Sequence, residues 1–294
     1  MTDRTTDRAC TVVRPGALTT VQDLGRPGLA HLGVPRSGAL DTPAHLLANR
    51  LVGNPPDAAT LETTLTGCAL RAHAPLTAVI TGAHCPVTLD GRPAPWGAPF
   101  TVPAGAVLDA GPALRGVRAY VALSGGIARP PVLGSRSTDL LSGLGPAPLA
   151  PGDVLPLGAP TAPPAPADAV PQPAPPAELV LPLHLGPRDD WLTPDAPHTL
   201  ATGHYRVSAD SNRVGLRTQG PALTRARDGE LPSEPMVTGA VQVPPDGLPV
   251  VFLADHPTTG GYPVVGVVPE RALAAAAQAT PGTPLRFVPT HPGR

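Results

Sequence analysis

Proline and glycine punctuate this chain more densely than any long helix tolerates, with 44 prolines and 32 glycines among 294 residues. A proline inside a helix removes a backbone donor and clashes with the preceding turn, so helices here must be few and short. That density approaches the range of disordered chains. Yet 41% of the residues are hydrophobic and only 15% charged, which gives the chain material for a core and no electrostatic reason to stay expanded. The breaks therefore predict many short strands joined by turns. The length predicts two domains.

What is missing narrows the chemistry. Every basic residue is arginine; without lysine there is no Schiff-base chemistry, no lysine general base and no P-loop. The net charge of -1, the lack of a basic block and 3% aromatic content argue against nucleic acid as a partner. No apolar run nears the ~18 residues of a membrane span, and the polar beginning MTDRTTDRAC lacks a signal-like core, so a cytoplasmic protein is expected. Cys10, Cys68 and Cys85 have no C-x-x-C spacing and read as small, reduced core residues. No metal site is expected, because the nine histidines are scattered singly.

The clearest boundary is the stretch 159–178, in which eight of twenty residues are proline, a composition that favours an extended spacer. The expected layout is a disordered tail over residues 1–9, a domain over 10–158, the spacer 159–178, and a second domain over 179–294. In the first domain Asp41, Thr42 and Pro43 cap a helix that ends at Gly53. Its residues Ala44, Leu47, Ala48 and Leu51 should face a core, leaving His45 and Asn49 on another side. Strands are expected at 77–81, 117–123 and 154–157, with Asp90-Gly91 as a turn. In the second, 241–243 and 249–253 flank a Pro-Pro-Asp-Gly turn, and 269–279 is the one good helix. Each half thus reads as a closed or nearly closed β-barrel with one notable helix.

Three sets of polar, glycine-rich segments stand out. The first runs through Gln22, Asp23, Arg26, Arg36, Ser37 and Asp41; its arginines have the paired donors that hold a carboxylate or phosphate, although Asp23 capping a turn, Asp41 capping the helix and Arg26 bracing a loop is an equally physical reading. The second comprises Ser124-Gly125-Gly126 and 134–139, suited either to an anion or to a helix start before Leu140. The third contains Asn212, Arg213, Glu234, Gln242 and the turn 254–263, where two threonines, two glycines and Tyr262 are costly to order.

Taken in order, TTVQDLGR (19–26), GVPRSGALD (33–41), ANRLVGN (48–54), LETTLTG (61–67), GGI (125–127), GSRST (134–138), SNRVGLR (211–217), GAVQVPPDG (239–247) and TTGGYP (258–263) resemble the family of the C component of bacterial ATP-dependent 5-oxoprolinase. That family is related to the carboxyltransferase region of urea amidolyase and includes an antagonist of a sporulation-kinase inhibitor. The resemblance implies a mainly β protein of two cyclophilin-like barrels that works beside the 5-oxoprolinase B component. Together with the A component, these would carry out ATP-dependent conversion of 5-oxo-L-proline to L-glutamate. The relatives' other chemistry, moving a carboxyl group from carboxybiotin to urea, and a non-catalytic regulatory role are the alternatives it leaves. With no lysine, this chain cannot carry biotin itself. For the oxoprolinase reading the candidate catalytic residues are Asp23, Arg26, Glu234 and Asp255, with Gln22, Ser37, Asn212, Arg213, Gln242, Thr259 and Tyr262 as substrate-binding candidates. Where the family commonly reads D-R-Q before TTGGYP, this chain has Asp255-His256-Pro257, which removes a cation and an amide.

Overall fold

The computed structural model describes residues 8–168, 170–186, 188–227, 229 and 231–290. Most of the expected tail, residues 1–7, lies outside them; Ala9 is buried and opens the first strand. The chain divides into two compact units. One takes the residues up to Arg26, Asp41–Asp139 and Gly143–Ala174; the other takes Pro27–Leu40, Leu140–Ser142 and everything from Pro175.

The first unit holds β1 (Ala9–Arg14), β2 (Leu18–Gln22), helix α1 (Thr42–Leu51), β3 (Thr60–Thr64), β4 (Cys68–Ala72), β5 (Leu76–His84), β6 (Val87–Leu89), β7 (Arg92–Pro93), β8 (Phe100–Val102), β9 (Val107–Ala110), β10 (Arg115–Leu123) and β11 (Val154–Pro156). They form a six-stranded sheet in the order β11-β1-β4-β9-β6-β7 and a five-stranded sheet in the order β2-β3-β10-β5-β8. Both contribute to one core, Cys10, Leu70 and Leu108 from the first and Val21, Leu61, Ile80 and Val121 from the second. The expected turn joins β6 to β7: Asp90 and Gly91 both have positive φ, 48° and 75°, as a two-residue hairpin needs. The three cysteines are buried and free, and desolvation pushes each thiol up to about 12.

Asp41 caps α1 through Oδ1, which accepts from Ala44 N at 3.1 Å. His45 and Asn49 are buried on that helix, against expectation. Their polar groups are satisfied locally: Asn49 Nδ2 donates to Ala58 O at 2.7 Å, Asn49 Oδ1 accepts from Asn54 Nδ2, and His45 Nε2 lies 3.2 Å from Pro56 O. The first part of the proline-rich stretch belongs to this unit. Thr161 Oγ1 donates to Gly53 O, Ala165 N to Leu51 O, and Gln172 Oε1 accepts from Gly82 N.

The second unit contains β12 (Leu179–Leu185), α2 (Ala196–Thr202), β13 (Tyr205–Val207), β14 (Gly215–Gln219), β15 (Glu234–Pro235), β16 (Ala240–Gln242), β17 (Val250–Phe252), β18 (Thr259–Gly260), β19 (Val264–Val267), α3 (Glu270–Gln278) and β20 (Pro284–Thr290). Seven strands close a barrel in the order β12-β19-β16-β17-β14-β13-β20, with β12 and β20 parallel, and β15 pairs with β18 beside it. Leu181, Val241, Val251, Val265 and Phe287 fill the barrel, and Tyr205 meets Phe287 edge to face at 5.5 Å. The hairpin across 241–251 forms as expected. This unit has two α-helices rather than the one expected: α2 was hidden by its prolines, although it buries Ala196 and Leu200. Residues 139–143 form a turn, not a helix start, closed by Gly143 N donating to Asp139 O.

Candidate functional site

In the five-stranded sheet of the first unit, side chains alternate between faces. Val21, Leu61, Val121 and Ile80 enter the core. On the opposite face the register sets Thr20 beside Glu62, Glu62 beside Tyr120, and Tyr120 beside Thr81, with Gln22 opposite Thr60 and Arg118 opposite Thr64. A polar row therefore crosses four strands. It is buried: Gln22, Thr60 and Thr81 are wholly inaccessible, and Arg118, at 6%, is the most exposed member among these partnered positions apart from Thr64.

The row is held by specific bonds. Tyr120 Oη donates to Glu62 Oε2 at 2.8 Å and accepts from Asp41 N at 2.7 Å, while Arg118 Nε lies 3.6 Å from Glu62 Oε1. Burial, reinforced by the Glu62 charge, holds the Tyr120 phenol well above its usual pKa. His45 meets Thr60 Oγ1 at 2.9 Å through Nδ1, and burial lowers its pKa below the ordinary 6.5. A buried carboxylate and guanidinium gain little stability over apolar residues of the same volume, so a polar row of this kind marks a functional candidate.

The row ends in the first polar segment. Asp23 Oδ1 accepts from Gly25 N, Ser135 Oγ and Ser137 Oγ at 2.8, 2.5 and 2.6 Å, and Oδ2 accepts from Arg136 N at 2.6 Å. Arg26 Nε donates to Val132 O and Nη2 to Ser137 O. Asp23 and Arg26 thus shape the 132–137 loop, the bracing reading of these two residues, and Gln22 Nε2 reaches the next carbonyl, Thr138 O, at 3.0 Å.

In the second unit Ser37, Arg213 and Asp255 form one network. Arg213 grips Asp255 through Nε to Oδ2 and Nη2 to Oδ1, both at 2.9 Å, and Nη2 also donates to Gly38 O at 2.7 Å. Ser37 Oγ and Leu140 N add to the carboxylate's shell at 3.0 and 3.1 Å. The pair is entirely buried, and Ser37 holds a φ of 58°, a strained value for a residue with a side chain.

A second group surrounds the β15–β18 pair. Glu234, partly exposed, accepts both Nε and Nη2 of Arg188, which holds its carboxyl below the usual range. Thr259 lies opposite Pro235 and is exposed, and Gln242 Nε2 donates to Tyr262 O at 3.4 Å. A Cβ on Gly260 would stand 2.7 Å from Gln242 Nε2, so a side chain there would require that amide to shift. His256 lies parallel to Phe252, with Nδ1 2.7 Å from Pro257 O and Nε2 3.1 Å from Thr238 Oγ1. The carbonyl fixes the proton on Nδ1. Asn212 stands apart on an exposed turn, its Oδ1 accepting from Val214 N and Gly215 N.

Sequence reasoning missed Glu62, Arg118, Tyr120 and His45. The available signal was Thr60-Leu61-Glu62-Thr63-Thr64, a strand pattern with a charge at its centre. Among the described residues no group of three His, Cys, Asp or Glu side chains is placed to hold a metal, and no helix is long and apolar enough to cross a membrane.

The family described as carboxyltransferase domain, subdomains A and B, matches residues 32–289. The chain is 37% identical to the 5-oxoprolinase C subunit of Escherichia coli (strain K12) over 281 residues, covering 94% of this chain and 90% of that protein. Its fold resembles the crystal structure of TTHA0988 (TM-score 0.86, 40% identity), covering 96% of this chain and 56% of that one. It also resembles that of the K. lactis urea amidolyase (TM-score 0.87, 33% identity), of which it covers 18%. The chain therefore spans about half of the first of these structures and under a fifth of the second.

Proposed function

The chain belongs to the carboxyltransferase-domain family, subdomains A and B, and on that premise we propose that it is the C component of an ATP-dependent 5-oxoprolinase, acting with the A and B components to convert 5-oxo-L-proline to L-glutamate. The observation that carries this reading is the match to a 5-oxoprolinase C subunit through 90% of that protein's length.

Opening a lactam requires its carbonyl oxygen to be activated, and phosphorylation by ATP would supply that activation. The residues here do not fit a nucleotide of their own. Lysine is lacking, the N-terminus of α1 is taken by the Asp41 carboxylate, and α3 begins with Pro269 and the acidic Glu270. ATP use is therefore assigned to the assembled complex. Asp23, Arg26, Arg213 and Asp255 serve this reading as positioning residues, since their polar atoms bind loop backbone, neighbouring hydroxyls or one another. Gln22, wholly buried, joins these positioning residues, and Glu234, Gln242, Thr259 and Tyr262, around the β15–β18 pair, are the groups assigned to substrate.

The urea amidolyase likeness supports a second reading, carboxyl transfer to urea or a related amide from carboxybiotin carried on another protein. One experiment separates the two. The purified A and B components are mixed with this chain, ATP and 5-oxo-L-proline, and glutamate is followed, with this chain omitted in one arm and present alone in another. Glutamate should form only in the complete mixture. Equal production without this chain sinks the oxoprolinase reading, and a silent mixture that consumes carboxybiotin and urea replaces it with carboxyl transfer.

A further inference from the structure

Leu133 and Gly134 close a two-residue hairpin: Val132 N donates to Ser135 O at 2.8 Å, and Ser135 N donates back to Val132 O at 3.2 Å. Both turn residues have positive φ, 52° and 82°, close to the values of Asp90 and Gly91 in the β6–β7 turn. The two turns differ in what they carry. Asp90 suits its place, since a short polar side chain tolerates a left-handed backbone and here accepts from Val107 N at 2.8 Å. A leucine at positive φ is a steric outlier. Among the described residues Leu65 is the other such leucine, but neighbouring strands impose its conformation, its N–H donating to Val117 O and its carbonyl accepting from Ala113 N. At Leu133, a turn that glycine, asparagine or aspartate makes readily holds instead a large apolar side chain, half exposed to water.

The surroundings make that side chain a rigid projection. Pro130, Pro131 and Val132 are exposed beside it, and no charge occurs between Pro130 and Gly134. The base of the hairpin is clamped: Arg26 Nε donates to Val132 O, and Asp23 accepts from Ser135 Oγ and Arg136 N. The arginines on either side are turned to backbone carbonyls, Arg136 Nε to Arg129 O at 2.7 Å and Arg129 Nη2 to Val154 O at 3.4 Å. An apolar tip fixed in water by buried polar groups is unfavourable in both strain and solvation. Held in this way it suits insertion into an apolar pocket, because little freedom remains to be lost on binding.

We infer that the Leu133 hairpin is the knob by which this chain docks into an apolar pocket of the 5-oxoprolinase B component. The inference rests on the oxoprolinase reading and gives that partner a place on this chain. A second copy of this chain fits less well, since a two-fold contact would set one projecting tip against another and bury little. The relatives favour a companion of a different kind. In TTHA0988 the matching region fills 56% of the chain, so further chain is joined to it covalently, whereas in the Escherichia coli subunit the match covers 90% of the protein. A component of the second kind has to hold its companion by surface contacts alone.

The test titrates purified B component with this chain by calorimetry, and follows glutamate formation by the complete complex with the A and B components in parallel. Leu133→Asn keeps the turn geometry, so it should melt at or above the parent's temperature yet bind B at least about tenfold more weakly, the loss expected when a buried leucine contact is removed. Leu133→Met keeps an apolar tip and should bind close to the parent. Leu65→Asn, at an exposed leucine elsewhere in the same unit, should bind as the parent does. A folded Leu133→Asn that binds B like the parent, or a Leu65→Asn weakened as much, overturns the inference, while glutamate formation by the parent mixture leaves the oxoprolinase reading standing. A parent chain that self-associates, and becomes monomeric only in Leu133→Asn, assigns the hairpin to a second copy and overturns the inference as well. A parent chain that neither binds B nor supports glutamate formation overturns both.

Discussion

Removing the hydroxyl of Tyr120 strips two buried bonds at once, because that oxygen donates to Glu62 and accepts from Asp41 N. Tyr120→Phe leaves a backbone N–H and a carboxylate oxygen without this partner, and should destabilise the protein by about 1–3 kcal/mol, measured by urea unfolding. An unchanged midpoint would show that other groups hold both atoms. His45 adds a pH dependence whose sign is fixed. Its folded pKa lies below the unfolded value, so on acidification the unfolded chain takes up the proton first. Stability should be full above about pH 6.5 and fall below it, levelling once the folded form is also protonated. His45→Gln should flatten the profile between about pH 7 and 5; a variant as acid-sensitive as the parent would assign the loss to other groups. At this scale the sequence was least legible. Asp41 could be read as a cap from its neighbours alone, but Glu62 needs partners from β10, more than fifty residues away. Nothing local announces such a contact.

Turns and helix ends were more legible, since a glycine beside an aspartate or a proline carries its geometry with it. Asp90-Gly91 and the 241–251 hairpin are of this kind. Helix α2 was not, because its first turn contains Pro197 and only tertiary burial of Ala196 and Leu200 selects it. Gly125 gives the element scale its prediction. It has φ 92°, and a Cβ there would fall 1.9 Å from Gly158 O, where the chain leaving β10 passes the chain leaving β11. Gly143 has a similar φ of 72° but open space around it. Gly143→Ala should therefore cost only the backbone penalty, about 1–2 kcal/mol, whereas Gly125→Ala adds a backbone collision and should cost clearly more. Comparable melting of the two variants would mean that the crossing relaxes freely.

For the whole molecule, the strand-rich, two-part character followed from how proline and glycine are spread, whereas the exchange of segments between the parts did not. Pro27–Leu40 and Leu140–Ser142 belong to the second unit although they lie well before the proline-rich stretch. Their attachment is made by atoms that composition cannot reveal: Gly38 O on Arg213, Ser37 Oγ and Leu140 N on Asp255, and Leu40 in the barrel core. A cut at the end of the proline-rich stretch is thus not a cut between complete units, and this leads to a prediction. Residues 175–294 expressed alone keep the Arg213–Asp255 pair but lose the hydrogen bonds that Ser37 and Leu140 give the carboxylate. Bonds to charged groups contribute about 1.5–3 kcal/mol each, and burial of a leucine about as much, although entering water offsets part of the loss. Set against a typical total of about 5–15 kcal/mol, that leaves the fragment marginal or unfolded. Circular dichroism during urea titration should show a lower midpoint than the intact chain, or no cooperative transition, and fusing residues 27–41 to the fragment through a flexible linker should restore part of it. A bare fragment that unfolds cooperatively at the parent's midpoint would show that the barrel stands without those segments, leaving the buried ion pair to be explained by function alone.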